Sequence, residues 1–464
     1  MRYISTRGEA PSLSFEEAML TGLARDGGLY VPEIWPQLSH DEIATMAGMS
    51  YEEVAFRVIK PFIGDTFTDD EFRKILSKAY SSFKHDARCP LVQLGQNDFL
   101  LELHHGPTLA FKDVAMQLIG QMFEVSLKRR GEHVTIVGAT SGDTGSAAIE
   151  AFRGLDSVDV FIMYPHGRVS DVQRRQMTTP DDDNIHALAV DGDFDDCQAQ
   201  LKNMFNDFEF RDEVKLAGVN SINWARVMAQ VVYYFTSAVS LGAPHRKISF
   251  TVPTGNFGDI FAGYVAKRMG LPIERLVIAT NQNDILHRTL TSGDHSKNGV
   301  TPSVSPSMDI QVSSNFERLL FDLYDREGRA ISQLIDDLNT NGAFTLSQGA
   351  LERLRDEFDS ARCSEEETLA TIRFAKEHYG KIVCPHTAVA IKAAADVRGD
   401  LTTPMVILAT AHAAKFPDAV EAACGVHPDL PPHMAGLFDR TERVTRVAND
   451  LSAIQGIIRK GVTA

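Results

Sequence analysis

From residue 99 onward the sequence alternates short apolar runs with helical stretches. The apolar runs fall at residues 99–103, 134–137, 158–163, 187–190, 248–252, 276–279 and 405–408. Strands separated by helices of this length need crossover connections, which confines the chain to an α/β fold with largely parallel sheets. In such sheets ligands collect beyond the carboxyl ends of the strands, in the loops that enter the next helix. Residues 15–80 have another texture, amphipathic helices with turns such as Arg25-Asp26-Gly27-Gly28 and a capping signal at Thr68-Asp69-Asp70-Glu71. They read as an N-terminal helical subdomain. Residues 292–307 read as a long loop, and residues 319–381 as charged and mostly helical.

At 464 residues the chain exceeds one compact core, so two or three domains are expected. A formal net charge of -16 opposes a nucleic-acid partner, since phosphate contacts need clustered Lys and Arg. No apolar run approaches the length that spans a bilayer, and the opening Met1-Arg2-Tyr3-Ile4-Ser5-Thr6 lacks the apolar core of a secretory signal. A soluble, cytoplasmic protein with no membrane partner is expected, as a monomer or homodimer. The five cysteines are scattered and form no Cys-x-x-Cys pair, which implies reduced thiols and no metal site.

Five segments, four of them directly beyond apolar runs, carry groups that could do chemistry. In His104-His105-Gly106-Pro107-Thr108-Leu109-Ala110-Phe111-Lys112-Asp113, Lys112 stands at a helix entrance among apolar neighbours. The positive helix end and burial both favour the neutral amine that imine formation needs, although a lysine there is also an ordinary surface residue. Pro253-Thr254-Gly255-Asn256-Phe257-Gly258-Asp259 can turn backbone N–H groups onto a phosphate at a helix N-terminus, or can be a simple tight turn. Gly138-Ala139-Thr140-Ser141-Gly142-Asp143-Thr144-Gly145-Ser146 offers a second anion site. Asn220-Ser221-Ile222-Asn223-Trp224-Ala225-Arg226 supplies a guanidinium suited to bidentate phosphate or carboxylate binding. Thr410, in Ala409-Thr410-Ala411-His412-Ala413, is a strand-end hydroxyl or an N-cap. Walker, dinucleotide, nucleophile-elbow and zinc-protease motifs are absent. One lysine, two anion cradles and a strand-end hydroxyl match what a phosphorylated aldehyde cofactor and an anionic substrate require.

At these residues the sequence resembles threonine synthase, a family of fold type II pyridoxal-phosphate enzymes, and the resemblance runs nearly the whole length. It rests also on Tyr3-Ile4-Ser5-Thr6-Arg7-Gly8, Ala24-Arg25-Asp26-Gly27-Gly28-Leu29-Tyr30-Val31-Pro32, Ser305-Pro306-Ser307-Met308-Asp309-Ile310 and Ser313-Ser314-Asn315-Phe316-Glu317-Arg318. The resemblance implies a tryptophan synthase β-like architecture: two open parallel-sheet subdomains plus the N-terminal helical one. The corresponding segments are 1–90, 91–245 with the cofactor lysine and a smaller mobile subdomain, and 246–464 with the phosphate loop. It implies that Lys112 holds pyridoxal phosphate, that Gly255, Asn256, Phe257 and Gly258 bind its phosphate, and that Thr410 faces the pyridine nitrogen. Asp143 would lie near the phenolic oxygen. Ser141, Thr144, Ser221, Asn223, Asn256 and Arg226 would serve the substrate's carboxylate and phosphate.

The implied reaction converts O-phospho-L-homoserine and water to L-threonine and phosphate. Alternatives are a phospholyase or dehydratase that ends in 2-oxobutyrate, and a non-catalytic relative. Two residues depart from the wider pattern: many fold type II enzymes have Asn where this chain has Asp143, and relatives often have Pro where it has Ala413. A carboxylate at 143 repels a substrate carboxylate unless it is protonated or turned away.

Overall fold

A computed structural model describes residues 1–462. Two separate sheets form from the apolar runs. The larger has six strands in the order Phe358–Arg362, Ile273–Thr280, Ile248–Pro253, Met405–Ala409, Asp98–Glu102 and Leu91–Gln93. All its neighbours are parallel except the last pair. The smaller has five parallel strands in the order Thr445–Ala448, Ile185–Asp191, Val158–Pro165, Val134–Ala139 and Leu216–Ala217. Every residue of Val158–Pro165, Ile248–Pro253 and Met405–Ala409 is buried, as expected for strands covered by helices on both faces.

All seven apolar runs are strands, whereas four further strands of these sheets lack that signature. Phe358–Arg362 lies inside the segment expected to be mostly helical, and Ala343–Thr345 interrupts it too. The first is a sheet edge, where only one side needs pairing and charge is tolerated; Arg275 on the neighbouring strand holds its Asp359 at 2.6 Å. The stretch expected to be a long loop contains Asp294–Ser296, paired antiparallel with Ala343–Thr345. Sheet membership also cuts across contiguous segments: Asp98–Glu102 belongs to the sheet built mainly after residue 246, and Thr445–Ala448 to the sheet built mainly before it.

Four N-terminal helices, Phe15–Thr21, His40–Ala44, Tyr51–Ile63 and Asp69–Tyr80, each begin with a complete capping box, from Ser14, Ser39, Ser50 and Thr68 respectively. The side chains satisfy donors that the first turn leaves free. Helices Lys112–Arg130, Asp143–Phe152 and Gly258–Arg268 have no side-chain cap. The first two pack so closely that a Cβ at Gly120 would lie 2.4 Å from the Ala151 carbonyl oxygen.

The N-terminal subdomain is tied to the rest by Arg318, which is fully buried. It donates to the carbonyls of Tyr30 at 3.1 Å and Ile222 at 2.5 Å, and to the Asn315 side chain. Next to it, Glu317 accepts from Arg7 at 3.2 Å and from the Thr6 hydroxyl at 2.5 Å. All five cysteines are free thiols. Among the described residues no helix is long and apolar enough to cross a membrane. Arg318→Ala leaves these acceptors unpaired inside the protein, and we expect it to lower the unfolding free energy by about 3–5 kcal/mol, read from the urea midpoint.

Candidate active site

At the carboxyl ends of strands from both sheets lies a cavity of about 200 Å³. Lys112, Ser141, Asp143, Thr144, Ser221, Arg226, Gly255, Asn256, Phe257, Gly258 and Thr410 all line it. Asn223 does not. It is fully buried, its oxygen caps the helix Trp224–Ser240 by accepting from the Ala225 N–H, and its amide donates to the carbonyls of Met19 and Gly218. With those bonds made, its side chain is committed to holding the loop beneath the site and not to a substrate.

Lys112 opens its helix and is 8% exposed. Burial holds its amine below the ordinary lysine range, and the positive charges of Lys415 and Arg226 act in the same direction against the opposing Asp143. Its Nζ lies 3.4 Å from Asp143 Oδ2. The other oxygen, Oδ1, is 2.9 Å from Lys415 Nζ and accepts from the Gln173 amide at 2.9 Å. Burial by itself would raise the Asp143 carboxyl, but Lys415, Lys112 and Gln173 together hold it well below the usual carboxylate range. The carboxylate is therefore ionised and already engaged by two lysines.

Lys415 is 0% exposed and also donates to the Thr108 carbonyl at 2.8 Å. Sequence reading passed over it, as over His386, whose Nε2 accepts from the Ser307 N–H, and Asp259, whose carboxyl accepts from the hydroxyls of Tyr233 and Tyr234. Burial pushes Asp259 up to about 6 and His386 down to about 4. For Lys415 the only available signal was a basic residue just beyond a strand end.

Two site loops contain non-glycine residues in the left-handed region: Leu109 at φ 65° and Phe257 at φ 64°. Such conformations persist where packing over-determines them. The Phe257 ring does this by packing on Phe316 and Phe358, with centroids 5.2 and 5.9 Å away. The left-handed residue begins the helix Gly258–Arg268, and the N–H groups of Gly255, Asn256, Phe257 and Gly258 meet no acceptor among the described residues. Unpaired amides at an uncapped helix start are a phosphate cradle. Across the cavity, Arg226 is 3% exposed, with Nε and Nη1 buried and unpartnered. Burial pushes its guanidinium down to about 10.

A buried amine of lowered basicity, an amide cradle and a strand-end hydroxyl from Thr410 fit pyridoxal phosphate. The comparisons agree. Residues 85–337 match the model described as pyridoxal-phosphate dependent enzyme, which sets the class. Residues 2–80 match threonine synthase N terminus and residues 387–458 match threonine synthase, C-terminal. The chain is 54% identical to threonine synthase of Pseudomonas aeruginosa over 99% of this chain and 98% of that one. Among solved structures, PLP-bound threonine synthase from Brucella melitensis is similar at TM-score 0.97 and 56% identity, covering 100% of both chains. The yeast enzyme is similar at TM-score 0.93 and 40% identity, covering 99% and 98%. The chain belongs to the threonine synthase family.

Lys415→Met strands Asp143 with one counter-charge, and we expect a stability loss of about 3–5 kcal/mol. Adding Asp143→Asn should recover most of it, since an amide needs no counter-ion. A double variant no more stable than Lys415→Met in urea unfolding would show that the pair is not the cause.

Proposed function

We propose that this cavity converts O-phospho-L-homoserine and water to L-threonine and phosphate, the last step of threonine biosynthesis, and that it does so in the cytoplasm. One observation carries the reading: Arg226 is a buried cation with no anion of its own facing a cavity that already has an amide cradle for the cofactor's phosphate. A buried guanidinium without a partner is costly, and a second phosphate supplied by the substrate offsets that cost.

Pyridoxal phosphate, when bound, supplies the electron sink for carbanion character at the substrate's Cα. The remaining work falls to the chain. Gly255, Asn256, Phe257 and Gly258 would hold the cofactor's phosphate, and Thr410 would offer its ring nitrogen a neutral hydroxyl in place of a carboxylate, which would moderate the sink. The lowered basicity of the Lys112 amine suits it to take the Cα proton and then to move a proton from Cβ. Phosphate leaves from Cγ with the electron pair of its C–O bond. Water adds its hydroxyl at Cβ; of the protons taken from Cα, Cβ and water, one ends on Cγ, one returns to Cα and one leaves with the phosphate. Ser141, Thr144, Ser221 and Asn256 surround the substrate's polar groups. Because Asp143 is turned to Lys415 and Lys112, the substrate carboxylate meets hydroxyls and amides and not a free negative charge.

The test is product identity: protein, pyridoxal phosphate and O-phosphohomoserine should give threonine, and 2-oxobutyrate as the main product would overturn the reading. Lys112→Ala should abolish both turnover and the borohydride-reducible cofactor adduct. Arg226→Ala should raise KM by about two orders of magnitude with the cofactor absorbance intact; an unchanged KM removes Arg226 from the substrate site.

A further inference from the structure

A second cavity, of about 400 Å³, shares a wall with the first. Ala409 and Ala411 line it, whereas Thr410 between them lines the cofactor cavity. The wall is also bonded to the lysine loop: the Phe111 N–H donates to the Thr410 carbonyl at 2.8 Å, and the His412 N–H to the Leu109 carbonyl at 3.0 Å. Leu109, in its left-handed conformation, lines the second cavity three residues before Lys112.

The chemistry of this cavity is one-sided. Lys84, Lys381, His104, His105, His412 and His433 face it, with Glu102 as the one carboxylate. Glu102 is already engaged, to His105 at 2.8 Å and to Lys381 at 3.3 Å. Lys84 and His433 have no side-chain partner among the described residues. The imidazoles crowd together: ring centroids of His104 lie 5.0 Å from His105 and 5.4 Å from His412, while His85 stands 5.2 Å behind His105. Burial, and then the neighbouring positive groups, hold His104, His412 and His433 below the ordinary histidine range. The floor is apolar, from Leu100, Leu109 and the alanines, and neither an arginine nor an uncapped helix start enters it. That combination suits a carbon body with a carboxylate more than an inorganic phosphate, which is held best by convergent amides or a guanidinium.

We propose that this cavity is an effector site for a small organic carboxylate, held by Lys84 and the histidines, and that its occupancy reaches Thr410 and Lys112 through the backbone they share. An anion among the imidazoles offsets their burial and mutual repulsion, so it binds together with a proton. The ligand and the cofactor then act on opposite sides of one short segment, and by linkage each alters the affinity of the other.

Succinate serves as the probe, titrated into the holoenzyme by calorimetry. Binding is expected with proton uptake, weakening about tenfold per pH unit between pH 6 and 8 where one histidine proton is taken up. The exposed pair Lys84→Ala/His433→Ala should weaken it at least tenfold without loss of fold, and a change in cofactor absorbance should accompany saturation. Arg226→Ala should keep succinate binding. No binding heat, pH-independent binding, affinity unaffected by the Lys84→Ala/His433→Ala pair, or loss of binding in Arg226→Ala would each overturn the site; the last would put succinate in the substrate cavity. Saturation that leaves both the absorbance and kcat unchanged would overturn the coupling.

Discussion

A carboxylate taken out of water costs several kcal/mol unless opposite charge replaces its hydration, and Asp143 is such a carboxylate, 3% exposed at the start of a helix. Its two counter-ions come from the other sheet: Lys112 from the loop after Asp98–Glu102, and Lys415 from the segment after Met405–Ala409. Asp143 itself follows Val134–Ala139 of the smaller sheet. The ion cluster therefore spans the two sheets at the point where the cofactor must sit. It also answers the difficulty that a carboxylate at this position raises in the sequence, because its charge is spent on lysines. In the proposed reaction Lys112 surrenders its contact during turnover, whereas Lys415, fully buried, stays as the counter-ion.

Helix starts are built differently in the N-terminal subdomain and at the cofactor loops. Where the chain needs only stability, as in the N-terminal subdomain, Ser or Thr with a Glu three residues on closes each first turn. Where it needs a ligand, the first turn is left open and a residue is held at positive φ to shape the entrance, as at Phe257. The stability given up at those turns returns when an anion binds there.

Much of this was legible because parallel strands buried on both faces read as continuous apolar runs, and because Lys112, Gly255 to Gly258 and Asp143 stand in or at the end of the loops that follow them. The edge strands were not legible. In Thr445–Ala448 only Val447 is buried, and Leu216–Ala217 is too short to show a period. Asn223 illustrates a different limit: beside an arginine it resembles a substrate contact, but an amide preceding a helix is equally an N-cap, and only the tertiary acceptors Met19 and Gly218 decide between them. Lys415 could not be placed from sequence because its partner comes from a loop of the opposite sheet, and nothing local distinguishes a fully buried lysine from a solvated one.

Chain order and sheet order part company at the end of the molecule. Thr445–Ala448 completes the smaller sheet beside Ile185–Asp191, yet all of the larger sheet is encoded between that partner strand and its arrival, apart from the strands Leu91–Gln93 and Asp98–Glu102. At ordinary rates of synthesis the edge of Ile185–Asp191 is therefore made and left unpaired for on the order of tens of seconds. An apolar parallel strand with an open edge is a template for pairing with other chains. Until synthesis reaches Thr445–Ala448 the nascent chain thus presents an apolar edge, which the finished molecule replaces with a mostly exposed, polar one.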